Sequence, residues 1–150
     1  MTFDAALQRR LLSLCLHLCG NAADAEDALQ ETLLALHVGL PRFRGEASID
    51  TWAYRVAMRV ALRIKARRRP EEPPGDDLPG AGAAGIEASA DAARVLRAMA
   101  RLPAGQRMVL SLFAIEGMKH GEIARVLGIP EGTVWSRLHA ARKRLQAELG

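Results

Sequence analysis

The segment from His120 to Leu149, HGEIARVLGIPEGTVWSRLHAARKRLQAEL, constrains the fold more than any other part of the chain. It reads as a short helix, a tight turn at Leu127-Gly128-Ile129 and a longer basic helix. That is the helix-turn-helix pattern, whose second helix lies in the DNA major groove. Pro130 suits a helix start, where its missing N–H is an orphan anyway. Val134, Leu138, Ala141 and Leu145 then recur at helical spacing. At about 100° per residue they fall within roughly 60° of one another, a narrow core-facing stripe. The opposite face carries Gly132, Ser136, His139 and Lys143, flanked by Trp135 and Ala140. Arg137, Arg142 and Arg144 border the stripe. Such a helix can read base edges with its central polar face and reach phosphates with flanking arginines. Ile123, Ala124, Val126 and Leu127 of the preceding helix pack beneath it, and Gly128 suits a left-handed C-cap. A basic amphipathic helix that only solvates its polar face has the same pattern. The short first helix and the turn argue against that alternative.

Alanine, leucine and arginine dominate the 150 residues, and β-branched runs are absent, which predicts an all-α protein. A chain of this length is one domain or two very small ones. No apolar run reaches membrane length and no signal peptide opens the chain, so a cytoplasmic protein without membrane insertion is expected. Four scattered histidines and no Gly-rich phosphate loop argue against an enzyme, and no cofactor is implied.

Charge by segment says more than the net +4. Residues 1–40 hold two basic and five acidic side chains, and residues 41–70 nine and two. Residues 71–100 hold two and six, and residues 101–150 eight and four. Two basic segments separated by an acidic one suit two contacts with a polyanion, although two ordinary solvated helices would also fit. EEPPGDDLPGAGAAG, Glu71 to Gly85, is rich in proline and glycine and lacks apolar periodicity. It reads as a flexible tether. The expected organisation is a helical block at 1–69, a linker at 70–88 and a helix-turn-helix block at 89–150.

Three helices are predicted in the first block. One runs from about Asp4 to Cys19 and ends at Gly20. The second follows Asn21, a good N-cap, with Asp24, Glu26 and Asp27 in its first turns and a stripe of Ala25, Ala28, Leu29, Leu33 and Leu36. The third runs from after Ser48 to about Arg69, with a stripe of Trp52, Val56, Val60 and Ile64. The loop PRFRGEAS, Pro41 to Ser48, puts Phe43 between Arg42 and Arg44. Basic residues interleaved with Phe43, Trp52 and Tyr54 suit single-stranded nucleic acid, since stacking supplements phosphate contacts. Trp52 and Tyr54 also suit core positions. Cys15 and Cys19 share a helix face, but His17 points elsewhere. No metal site is expected, and buried structural cysteines outweigh a redox or metal-sensing role.

NAADAEDALQETLLALH followed by FRGEASIDTWAYRVAMRVALRIKARRR resembles region 2 of the extracytoplasmic-function (ECF) sigma factors of the sigma-70 family. LPAGQRMVLSLFAIEGMKHGEIARVLGIPEGTVWSRLHAARKRL resembles their region 4. The resemblance covers nearly all of the chain except the tether. It implies a bacterial transcription-initiation factor that binds core RNA polymerase (β′ and β subunits), directs it to promoter DNA and helps opening. Carried over, the polymerase-binding residues are Asp24, Glu26, Asp27, Gln30 and Glu31, and an acidic N-terminal turn placed for the helix dipole is the plainer alternative for Asp24 and Glu26. The −10 and single-strand contacts implied are Arg42, Phe43, Arg44, Ser48, Trp52, Tyr54, Arg55, Arg59 and Arg63, with a flipped base captured in the loop. The −35 contacts implied are Thr133, Trp135, Ser136, Arg137, His139, Ala140, Arg142 and Lys143. An anti-sigma factor is an expected partner.

Five positions depart from the family pattern, the first being Ala53, which stands where Leu is usual. Arg59 and Arg63 stand where Asn and Asp are usual, and two added positive charges favour non-specific backbone contact. Trp135 and Ala140 stand where basic residues are common. Trp can pack on a thymine methyl or a sugar, but it cannot make the bidentate guanine contact of Arg. Two other readings stay open at this point: a sigma-like decoy that binds an anti-sigma factor, and a polymerase-independent helix-turn-helix regulator.

Overall fold

The computed structural model describes residues 3–67 and 90–150. Among these residues the protein is all-α, with no strand. Seven α-helices run in chain order: α1 (Ala5–Cys19), α2 (Ala22–Gly39), α3 (Ile49–Arg67), α4 (Ala90–Ala100), α5 (Ala104–Leu110), α6 (His120–Leu127) and α7 (Glu131–Leu149). The expected tether at 70–88 lies outside the described residues, as do both ends assigned to it.

Local chemistry sets the helix ends. Asp4 caps α1 by accepting the Leu7 N–H at 2.7 Å. Asn21 caps α2 by accepting the Asp24 N–H at 2.9 Å. Ser48 accepts the Thr51 N–H at the start of α3. Each satisfies one of the orphan donors of a helix N-terminus. Gly128 ends α6 with φ +69°, as its place in the turn predicts. Beyond α5 the helix widens into a π-type turn over Ser111–Ile115, with the Glu116 N–H bonded to the Ser111 carbonyl.

α1, α2 and α3 pack on one another, and α7 packs on α4, α5 and α6. The two groups also meet. α1 touches α4, α5 and the π-type turn, and α3 touches α6. A continuous cluster of buried apolar side chains runs from Leu7, Leu11 and Leu14 of α1 through Leu96, Met99 and Leu112 to Val134 and Leu138 of α7. Gly20 makes one of these approaches possible. Its φ is +87°, and a Cβ there would lie 2.8 Å from the Ala100 Cβ. Glycine is needed for both the left-handed backbone and the close contact.

The apolar stripes need two corrections. In α3 the buried residues are Ala53, Tyr54, Ala57, Met58, Val60, Ala61 and Ile64, whereas Trp52 and Val56 are half-buried. The stripe is centred on small residues because α1 and α2 both press on α3, and alanines allow helices to come close. In α2 Thr32 is fully buried, and Leu29 and Leu33 lie only partly inside. Thr32 is accommodated because its hydroxyl donates to the Ala28 carbonyl at 2.6 Å. In α7 the expected stripe holds: Val134, Leu138 and Ala141 are buried and Leu145 packs against them.

Cys15 and Cys19 are buried, and the Cys19 thiol donates to the Ala61 carbonyl. Burial pushes the Cys15 thiol well above its ordinary range, with Cys19 and Glu116 adding to the effect. His17 bonds the Ser13 carbonyl through Nδ1, and burial lowers its pKa. Among the described residues no cluster of three or more His, Cys, Asp or Glu is placed to hold a metal ion. Nor, among them, is any helix long and apolar enough to cross a membrane.

Candidate nucleic-acid and polymerase interfaces

Three surfaces carry the residues nominated from the sequence. The first is the outer face of α2. Glu26, Asp27 and Gln30 are exposed there. Asp24 belongs to the helix cap, its carboxylate accepting from Asn21 Nδ2 at 3.1 Å. Glu31 accepts from the Arg63 guanidinium at 2.6 Å. Sequence reasoning missed the aliphatic half of this face. Leu34 is 67% exposed and Val38 70%. With Asp27, Gln30 and Glu31 they fall within roughly 100° of one another on the helix. The signal was present in the sequence: both lie on the side of α2 opposite Ala25, Ala28 and Leu36.

The second surface surrounds the start of α3. A short 3-10 turn, Leu40–Arg42, leads into the loop with Gly45 at φ +74°. Arg42, Arg44 and Ser48 are exposed, and Phe43 stacks on Trp52 with centroids 4.9 Å apart. Trp52 also lies against Gly39, where a Cβ would come within 2.9 Å of its ring. An open pocket of about 350 Å³ lies among Arg42, Phe43, Arg44, Trp52 and Arg55. Arg59 is exposed along α3.

Tyr54 and Arg55, although Arg55 also lines this pocket, are both held by the second half of the chain. The Tyr54 hydroxyl donates to Glu116 Oε1 at 2.8 Å. Arg55 donates to the Val126 carbonyl at 2.7 Å and the Arg125 carbonyl at 2.5 Å. Those carbonyls lie in the last turn of α6, where a cation is favoured. Burial raises the Glu116 carboxyl above its ordinary range, an effect that the Tyr54 hydroxyl and Arg10 oppose. Burial and Glu116 likewise raise the Tyr54 phenol. A buried Arg107, which sequence reasoning did not single out, completes the clasp. It donates to the carbonyls of Met99 and Leu102 and, at 3.4 Å, to that of Leu18 at the end of α1. Nothing in its sequence neighbourhood separates it from the exposed arginines.

The third surface is α7. Trp135, Ser136, His139, Arg142 and Lys143 are exposed, and Thr133 and Ala140 are half-buried. The Ser136 hydroxyl donates to the Gly132 carbonyl within the helix. Arg137 turns away from this face onto α5, its guanidinium lying against Gly105. Arg142 sits over the Phe113 ring, 5.1 Å from its centroid.

The chain matches two family models, Sigma-70 region 2 over residues 4–71 and Sigma-70 region 4 over residues 92–145. It is 37% identical over 132 residues to the ECF RNA polymerase sigma factor SigM of Mycobacterium tuberculosis, an alignment covering 87% of this chain and 66% of SigM. The chain thus spans about two thirds of that relative's length. It is 32% identical to the RNA polymerase sigma-H factor of Pseudomonas aeruginosa, over 95% of this chain and 81% of that protein. Among solved structures it resembles the sigma factor RpoE in complex with the anti-sigma factor NepR from Bartonella quintana, with a TM-score of 0.71 and 25% identity. That match covers 96% of this chain and 92% of the other. CnrH in complex with the cytosolic domain of CnrY matches with a TM-score of 0.70 and 26% identity, over 93% of this chain and 80% of the other. The helix-turn-helix, the two matched regions in order and the identity to these relatives lead to one conclusion: the chain belongs to the ECF sigma factors of the sigma-70 family.

Proposed function

We propose that the protein is a non-enzymatic transcription-initiation factor that binds core RNA polymerase in the bacterial cytoplasm and directs it to promoters. The observation that carries this reading is the outer face of α2. Leu34 and Val38 lie in water beside Asp27 and Gln30, and among the described residues neither packs against the buried core. Apolar anchors rimmed by charge suit a helical partner surface, with the acids setting its register. A regulator that needed only duplex DNA would have no use for such a face. The two halves then act as separate domains on promoter DNA. Ser136, His139 and Lys143 of α7 read the −35 element. The pocket bordered by Trp52, Arg42 and Arg44 takes an unstacked base of the −10 element, and its volume is of the size that small-ligand sites have.

Reading both elements requires the clasp to open. Elements centred about 25 base pairs apart lie about 85 Å apart along a duplex that rises ~3.4 Å per pair. A compact chain of this length has a radius of gyration of about 15 Å, too small to cover that distance, whereas the 22 residues between Arg67 and Ala90 can span up to about 75 Å at ~3.3 Å each, so the halves can reach both elements only when undocked. An anti-sigma factor is a fitting partner for the docked form, since RpoE and CnrH were solved with such proteins or partner domains bound.

Transcription in vitro with purified core polymerase tests the proposal. Specific initiation is expected with the wild-type chain. Asp27→Lys with Leu34→Glu should abolish core binding and leave duplex binding through α7 intact. Duplex selectivity without any effect of core would instead favour the polymerase-independent regulator.

A further inference from the structure

Trp135 is 61% exposed, yet its ring is not loose. One face stacks on the His120 imidazole, with centroids 4.1 Å apart and planes 11° from parallel. His120 meets Phe113 at 5.3 Å, and the Arg142 guanidinium covers Phe113 at 5.1 Å. The column draws on the π-type turn, the first residue of α6 and two positions on α7 that are two turns apart. A ring clamped this way has little rotamer freedom left to lose on binding. Trp135 also lies in the first turns of α7, the end of a recognition helix that reaches base edges.

The major groove offers one apolar group, the thymine C5-methyl; its other features are hydrogen-bond donors and acceptors. An indole with one face covered by imidazole presents apolar surface and a single N–H. We propose that Trp135 is a specificity-determining residue that reads a thymine methyl in the upstream promoter element. His120 and Phe113 are positioning residues that hold its ring for that contact. The inference rests on the proposal that α7 reads promoter DNA.

The test uses holoenzyme reconstituted with core polymerase. Its upstream element is selected from random duplexes, and each thymine in it is then replaced by deoxyuridine, which removes only the methyl. At one position the replacement should weaken binding by about fourfold, the factor expected for one buried methyl. Trp135→Ala should bind thymine and uracil forms equally. His120→Ala should flatten the discrimination and His120→Phe restore it, with helicity unchanged in all three. A selected site without methyl discrimination, or discrimination that survives Trp135→Ala, overturns the inference alone. Discrimination unchanged in His120→Ala overturns the positioning role. Failure of the holoenzyme to select any sequence overturns the underlying promoter-reading proposal, and this inference with it.

Discussion

α3 and α7 are both basic helices of nineteen residues, yet they commit their charge in opposite ways. α3 lies in the more basic segment, but its polar groups are largely engaged within the chain. Tyr54 is held by Glu116, Arg55 by the α6 carbonyls and Arg63 by Glu31. On α7, Ser136, His139 and Lys143 stay open to solvent, while Arg137 and Arg142 fold back onto Gly105 and Phe113 and Trp135 stacks on His120. Net charge along a sequence therefore overstates what α3 offers to DNA in the docked form. Arg63, a departure from the family pattern, adds less free positive charge than its position suggests, because it neutralises a nominated polymerase contact.

Breaking the docked arrangement should reverse this contrast. The largest effect is expected from Arg107→Ala, which strands three backbone carbonyls and should cost about 3 kcal/mol in urea unfolding. Gly20→Ala follows, at about 2 kcal/mol, from left-handed strain and the collision with Ala100. Both variants should raise binding of single-stranded DNA by α3 more than duplex binding by α7. An equal rise in the two would mean that docking does not mask α3.

Tyr54→Phe removes one hydrogen bond and should weaken docking by about 1 kcal/mol. Burial of Glu116, which the Tyr54 bond only partly offsets, predicts a pH dependence. The Glu116 carboxyl is raised in the docked form, so its contribution is fully present below the ordinary carboxylate value of 4.5 and fades as pH rises through the raised value. Docking followed by a fluorescence distance between labels on the two halves should tighten as pH falls from neutrality. The smallest effect is expected at Glu31→Ala, where loss of a surface ion pair should change stability by no more than about 0.5 kcal/mol. A much larger change there would show that Arg63 is bound more firmly than its exposure implies.

The all-α class, the caps at Asn21, Ser48 and Gly128 and the polar face of α7 were legible in the sequence because each depends on residues close together in the chain. Tyr54 and Arg55 were legible as chemistry but not as contacts, since their partners lie more than sixty residues away. Arg107 was not legible, because its value comes from three carbonyls that only the fold brings together. The centring of α3 on alanines was missed for a related reason: large apolar residues mark a stripe, but two neighbouring helices select the small ones. Leu34 and Val38 were legible as lying opposite Ala25, Ala28 and Leu36, but only the packing of α2 leaves them uncovered among the described residues.

Arg55 on the last turn of α6 also has a thermodynamic consequence. If only undocked chains engage a promoter, the apparent affinity is the intrinsic one multiplied by the undocked fraction. A docked form favoured by about 2.7 kcal/mol would leave roughly 1% of chains competent and weaken apparent binding about a hundredfold. Substitutions far from DNA at this contact would then tune promoter occupancy as a rheostat, with every base contact unchanged.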